Sequence, residues 1–184
     1  LMDGIAEYAP PPGAVEKTAL KGDAEITLIP DPNGPLVAQV YKTRIDPFVA
    51  KISYLRIFSG TLAKDASVRL ARTGKSVKIA QIFDMQGAQH ENADKVGPGE
   101  IVAVVKCEDL HTSDTITKGA DDVALAPIVF PTPMIGLAVE PKTQADQAKI
   151  STALHKIEEE DPCFQVHREA QTHEMVMHGM SELH

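Results

Sequence analysis

Three groups of residues in this chain have the types, and part of the spacing, that chemistry requires. Gly74-Lys75-Ser76 matches the end of a phosphate-binding loop, in which a lysine and a hydroxyl follow the second glycine. Such a loop needs another glycine five residues earlier so that the backbone can wrap the phosphates, and that position is Arg69. The flanks also read as strand on both sides, where strand and then helix is required. Arg72-Thr73-Gly74-Lys75 is therefore predicted to be a hairpin tip, and the chain is not expected to hydrolyse a nucleotide by itself. The second group is histidine: five of the seven, His155, His167, His173, His178 and His184, fall in the last 30 residues. A metal needs ligands converging on one point. His173 and His178 have opposite parity on a strand and no Cys/His pair repeats at finger spacing, so no metal site is expected. The third is Glu158-Glu159-Glu160-Asp161. Paired acid/base catalysis demands two distinct carboxyl environments, and consecutive residues at a helix end do not supply them. Acids are also unfavourable at a helix C-terminus, a weak hint of an interaction role in what is expected to be a solvated run. Cys107 and Cys163 stand alone and read as free thiols of a reducing compartment. No catalytic residue is expected.

Charge points elsewhere. The chain of 184 residues carries a net −8, yet residues 41–80 hold nine basic side chains against Asp46 and Asp65, a local +7 that leaves −15 for the rest. The nine are Lys42, Arg44, Lys51, Arg56, Lys64, Arg69, Arg72, Lys75 and Lys78. Such polarity lets one region face phosphate while the others keep the chain in solution; a solvated barrel surface is the plainer reading.

The elements that would position these groups follow from pattern. Aromatics are 4% of residues and Trp is absent, so a core must come from Val, Ile, Leu and Ala. No apolar run reaches the roughly 18–20 residues of a membrane span. No signal-peptide order is visible at the N-terminus, and a cytoplasmic location is expected. Leu1 to Tyr8 reads as a helix already under way, with Leu1, Ile5 and Tyr8 on one face, stopped by Pro10-Pro11-Pro12-Gly13. Residues 14–34 are polar with Pro30, Pro32 and Gly34, and are predicted to be linker. Strands are predicted at 36–41, from Phe48 to Phe58, at 68–70, over Val77, Ile79 and Ile82, at 101–105 and at 115–117. The 101–105 run is apolar on both faces and should be central. Short, closely spaced strands without intervening helices indicate a small barrel. A second unit begins near Phe130, with a strand at 134–139 and a helix at 144–160 capped through Thr143 and Asp146. A strand pair over 164–166 and 175–177 follows, and Ser181-Glu182-Leu183-His184 reads as the first turn of an unfinished helix. The order is that of a split βαβ, ferredoxin-like unit without its last helix and strand.

Tyr54-Leu55-Arg56-Ile57-Phe58-Ser59-Gly60-Thr61-Leu62 resembles the signature of the second domain of elongation factor G. Val96-Gly97-Pro98-Gly99-Glu100-Ile101 is similar to its following glycine turn, and Thr112-Ser113-Asp114-Thr115 to its Thr-Gly-Asp-Thr. Further on, Pro131-Thr132-Pro133-Met134-Ile135, Val139-Glu140-Pro141-Lys142-Thr143, Ala145-Asp146-Gln147, Glu160-Asp161-Pro162 and Gly179-Met180-Ser181-Glu182-Leu183-His184 resemble its third domain. On these motifs the chain is identified as a member of the elongation factor G family. Ser113 and Ser181 stand where glycine is common, and Pro98-Gly99-Glu100 departs from the usual Ala-Gly-Asp, which suggests a divergent or paralogous branch.

The resemblance implies a translation-factor-type antiparallel β-barrel followed by a truncated ferredoxin-like domain. It implies the end of a GTPase domain at 1–13, a linker at 14–34, the barrel at 35–125 and the ferredoxin-like domain at 126–184. These domains would hold no cofactor, GTP with magnesium belonging to a preceding domain. The implied partners are the ribosome, through small-subunit RNA and proteins, and the chain's own GTPase domain, with no membrane and a monomeric state. Docking on ribosomal RNA would use Arg56 first, then Lys42, Arg44, Lys64, Arg72 and Lys75. Coupling to the GTPase domain would use Glu140, Lys142, Thr143, Glu182 and His184, with a helix cap at Thr143 and a solvated acid at Glu182 as the plainer readings. The implied function is coupling of GTP hydrolysis to translocation of transfer and messenger RNA. A ribosomal protection or recycling factor of the same family, or a stand-alone RNA-binding or assembly module, are the rivals.

Overall fold

The computed structural model describes residues 1–46, 50–87, 89–120 and 122–184. The chain opens with helix α1 (Met2–Tyr8), whose Ile5 and Tyr8 are exposed, and a single 3-10 turn at Pro12–Ala14. Residues 14–34 are not the expected linker. They contain a hairpin of β1 (Lys17–Lys21) and β2 (Ala24–Leu28), turned at Gly22 and in register from Lys17↔Leu28 to Lys21↔Ala24. Its weak apolar alternation is rescued by distant partners.

Next come β3 (Leu36–Asp46), β4 (Ala50–Ser59), β5 (Leu62–Ala63), β6 (Ala66–Leu70), β7 (Ser76–Ile79) and β8 (Ile82–Gln86). Then follow β9 (Gln89–Ala93), β10 (Lys95–Val96), β11 (Ile101–Val105), β12 (Thr115–Lys118) and β13 (Val123–Ala124). Phe48 and Val49, expected to open the second long strand, lie outside the described residues. Eight strands form one antiparallel sheet in the order β7-β6-β12-β3-β4-β11-β8-β9. The sheet curls, and the short β5–β10 pair ties its flanks, with Val96 opposite Leu62 and the Lys64 amide donating to Asp94 O at 2.9 Å. Val77, Ile79 and Ile82 do not share a strand as expected: Ile79 ends β7 and Ile82 begins β8, at opposite sides of the sheet order.

Alternation along each strand explains the packing. Ala38, Val40, Leu55, Ile57, Val68, Leu70, Val102, Val104 and Ile116 point inward and form one buried cluster. Each fully buried aliphatic side chain contributes roughly 1.5–3 kcal/mol relative to exposure. β11 lies between β4 and β8, and it is apolar on both faces because Ala103 and Val105 pack outside, under Tyr54, Phe83 and Met85. On another part of the outer face, Ala19 of the hairpin packs with Val37, Val123 and Leu125, while β13 pairs with β1. Gly60 makes the β4–β5 turn possible. Its φ is +70°, and a Cβ there would lie 2.5 Å from the Leu36 backbone.

The second unit has β14 (Ile135–Val139), α2 (Gln144–Glu160), β15 (Gln165–Arg168) and β16 (Met175–Gly179). The sheet order is β14-β16-β15, antiparallel throughout, so β14 and β15 run parallel on either side of β16 and α2 joins them. This is the split βαβ arrangement. Thr143 caps α2, its hydroxyl accepting from the Asp146 amide at 3.3 Å and donating to the Asp146 carboxylate at 2.6 Å. Residues 181–184 form a hydrogen-bonded turn rather than the expected helical turn, with His184 N donating to Ser181 O at 3.2 Å. His173 is not on a strand either; it sits in the turn before β16 with φ +61°. Together the two units are a β-barrel and an α+β layer. No helix is long and apolar enough to cross a membrane.

Candidate functional site

The basic residues of 41–80 divide by strand parity. Lys42 stands opposite Tyr54 and Arg44 opposite Ile52, while Thr43 stands opposite Ser53 and both of these are buried. Lys42 and Arg44 therefore share the outer face of β3–β4 with Ile52 and Tyr54, and Arg56 lies two residues further along that face. A bulge between Val40 and Lys42 brings Tyr41 into the same area, its ring centroid 6.3 Å from that of Tyr54. Burial and the neighbouring Tyr54 push the Tyr41 phenol above its ordinary pKa, and Arg56 partly offsets them. Among the described residues Lys42, Arg44 and Arg56 form no ion pair. Three cations flank two tyrosines on one open face.

The other candidates lie apart from it. Arg72 grips the buried Asp114 carboxylate through two hydrogen bonds of 2.6 and 3.0 Å and also donates to Asp109 O at 3.2 Å. The Asp114 bond holds its guanidinium above the ordinary arginine value. Lys75 pairs with Asp109 at 3.4 Å, and Lys78 with Asp65 at 2.8 Å. Lys64 is exposed in the β5–β6 turn beside Asp65. Lys51 belongs to the inward parity of β4, and its side chain is only 2% exposed, paired with Glu159 of α2. The surplus of positive charge in this block is thus offset by Asp109, Asp114 and Glu159, acids far away in sequence. The predicted hairpin tip Arg72-Thr73-Gly74-Lys75 joins β6 to β7, which begins at Ser76, and strand rather than helix follows, so Gly74-Lys75-Ser76 does not fit a phosphate-binding loop.

In the second unit, Glu140 and Lys142 are exposed at the end of β14, beside the capping Thr143, and Glu182 is exposed in the last turn. His184 turns inward instead. Its Nδ1 accepts from Met180 N at 2.9 Å, so Nε2 carries the proton it donates to Asp161 at 2.7 Å. The acidic run expected to be solvated has partners at each residue. Glu158 accepts from Val166 N at 3.2 Å, Glu159 meets Lys51 and His111, Glu160 accepts from Ile45 N at 2.5 Å, and Asp161 holds Cys163 N and His184. His167 and His178 stack across β15–β16 with centroids 4.7 Å apart. Among the described residues no group of three or more His, Cys, Asp or Glu is placed to hold a metal. Cys107 is a buried free thiol and Cys163 a partly exposed one.

Comparison with known proteins matches residues 35–119 to the family model for elongation factor G domain 2, and residues 130–184 to that for elongation factor G, domain III. The chain belongs to the elongation factor G family. A crystal structure of a protein from Thermus thermophilus is similar at 29% identity with a TM-score of 0.71. The match covers 82% of this chain and 23% of that one, so the chain spans about a quarter of that relative's length. In these elongation factor G domains the departure at Ser113 has a structural counterpart. Its φ is +81°, a conformation natural to glycine, yet its hydroxyl accepts from Ile128 N at 2.8 Å, a contact glycine cannot make. Tyr41 and His111 were not singled out from sequence, and Glu159 was read only as part of a solvated acidic run. Ser113 carried a signal as a serine at a glycine position, and Glu159 a weak one as an acid at a helix C-terminus.

Proposed function

We propose that these two domains form the ribosome-docking part of a translation factor, and that the outer face of β3–β4 meets ribosomal RNA. The carrying observation is the placement of Lys42, Arg44 and Arg56, without ion-pair partners among the described residues, around Tyr41 and Tyr54. Cations neutralise backbone phosphates regardless of sequence, and aromatic rings offer stacking surface to unpaired bases. Family membership supports the ribosome as the source of that RNA. Arg72 and Lys75 take a lesser part, because Asp114 and Asp109 already engage them.

On this reading the second unit couples the barrel to a GTPase domain elsewhere in the protein, through Glu140, Lys142 and Glu182, with Thr143 and His184 holding their surroundings in shape. GTP and magnesium belong to that other domain, and translocation is the step served. The test is binding to purified small ribosomal subunits over a salt series. Changing Lys42, Arg44 and Arg56 together to Gln should weaken binding and flatten the log–log salt slope by about 2, at roughly 0.7–0.9 per phosphate contact. Lys118→Gln, on the exposed end of β12, should leave the slope alone. An unchanged slope in the triple variant would remove this face from the interface.

A further inference from the structure

Two features take no part in RNA docking, and they meet. The Lys51 ammonium is buried at the end of the barrel, donating to Glu108 O at 3.0 Å and to Glu159 Oε1. The same Glu159 oxygen lies 2.7 Å from His111 Nδ1, and its neighbour Glu160 accepts from the Ile45 amide. His111 is itself preset, since its amide donates to Asp114 Oδ2 at 2.9 Å and Asp114 is held by Arg72. The last turn of α2 has no basic residue, and acids there oppose the helix dipole. Glu159 and Glu160 find their partners on the barrel, whereas Glu158 meets His155 of the same helix and Val166 of β15.

Among the described residues no apolar cluster crosses this joint: the three buried clusters contain no residue beyond Leu125. What else links the units near the connecting segment is polar too, with Gln39 donating to Ala126 O at 2.9 Å and Ile128 N to Ser113 at 2.8 Å. A joint made of ion pairs and hydrogen bonds can part and be rehydrated without exposing apolar surface, whereas an apolar seam cannot. We propose that Glu159 is a releasable latch: paired with Lys51 and His111 it holds the α+β unit on the end of the barrel, and hydrated it lets that unit pivot about residues 126–130. This proposal does not depend on the RNA reading.

The test measures distance between the units in the full chain. Spin labels at Glu91→Cys on β9 and Lys149→Cys on α2, in a Cys163→Ser background, report it by pulsed electron resonance. With the latch intact the distances should form one narrow population at low salt, broadening as salt rises. Glu159→Gln should shift the open-to-closed ratio by about tenfold, within the range of ordinary coupling between sites. The exchanged pair Lys51→Glu with Glu159→Lys should restore the narrow population. If Glu159→Gln disturbs the barrel by stranding Lys51, the apolar pair Lys51→Met with Glu159→Leu replaces it, and should stay closed at all salt concentrations. A Glu159→Gln protein with an intact barrel and unchanged distances overturns the proposal. So does an apolar pair that opens with salt as the wild type does.

Discussion

In the barrel, neighbouring strands each deliver several side chains with almost no exposure, such as Leu55 and Ile57 from β4 and Val102 and Val104 from β11. Among the described residues the α+β unit has one buried hydrophobic side chain, Leu154 of α2, still 8% exposed, while Ile157 on the same helix remains 45% exposed. The barrel is held by closure around a shared apolar interior. The α+β unit relies on directional contacts: the Thr143 cap, the Asp161–His184 bond and the acids that end α2. A region held by closure resists deformation, and a region held by polar contacts can change partners. That contrast suits a rigid platform carrying a movable arm.

The largest expected effect tests the contrast directly. Leu55→Ala should destabilise the barrel by about 2–5 kcal/mol in equilibrium urea unfolding, because its neighbours are locked by closure and cannot refill the space. Leu154→Ala should weaken only the α+β unit and separate the unfolding into two transitions. Equal losses within one cooperative transition would break the comparison. A smaller effect is expected at Thr143→Ala, about 1 kcal/mol, confined to faster amide exchange in the first turn of α2. Faster exchange in the barrel as well would mean that the two units share stability.

The smallest effect is one of pH. Burial tends to raise the Asp161 carboxyl, but the hydrogen bonds from His184 and Cys163 outweigh it and hold it below the ordinary aspartate value. A carboxyl depressed in the folded state stabilises above its unfolded value, near ~4, and that contribution disappears as pH falls through the folded value. The side chain is 40% exposed, so solvent screens much of the effect. Melting followed by circular dichroism should show the α+β unit losing stability between about pH 5 and 3, less so in Asp161→Asn. Equal acid sensitivity in the variant would clear this carboxylate of the role.

The long strands of the barrel were legible because apolar, β-branched runs such as 36–40 and 101–105 stand between turn residues, and α2 because its cap and its stop at Asp161-Pro162 are local signals. The β1–β2 hairpin was not. Its one fully buried side chain is an alanine, and its stability comes from Val37, Val123 and Leu125, which no local window contains. The candidate site was half legible. Arg56 could be picked out of a motif, and its separation from Arg72 follows from a parity and a partner, Asp114, that lie 42 residues beyond Arg72. Glu159 was read as solvated because nothing near it in sequence shows that Lys51 faces inward.

The order of the large sheet has a further consequence. Its last member, β9, presents Gln89, His90, Glu91 and Asn92, all exposed, and pairs only with β8 among the described residues. An open strand edge is a template on which another chain can add a strand, and long apolar edges aggregate. Here the edge is short, polar and charged. A nascent or partly unfolded chain therefore finds little purchase on the finished barrel, and the sheet ends without recruiting a neighbour.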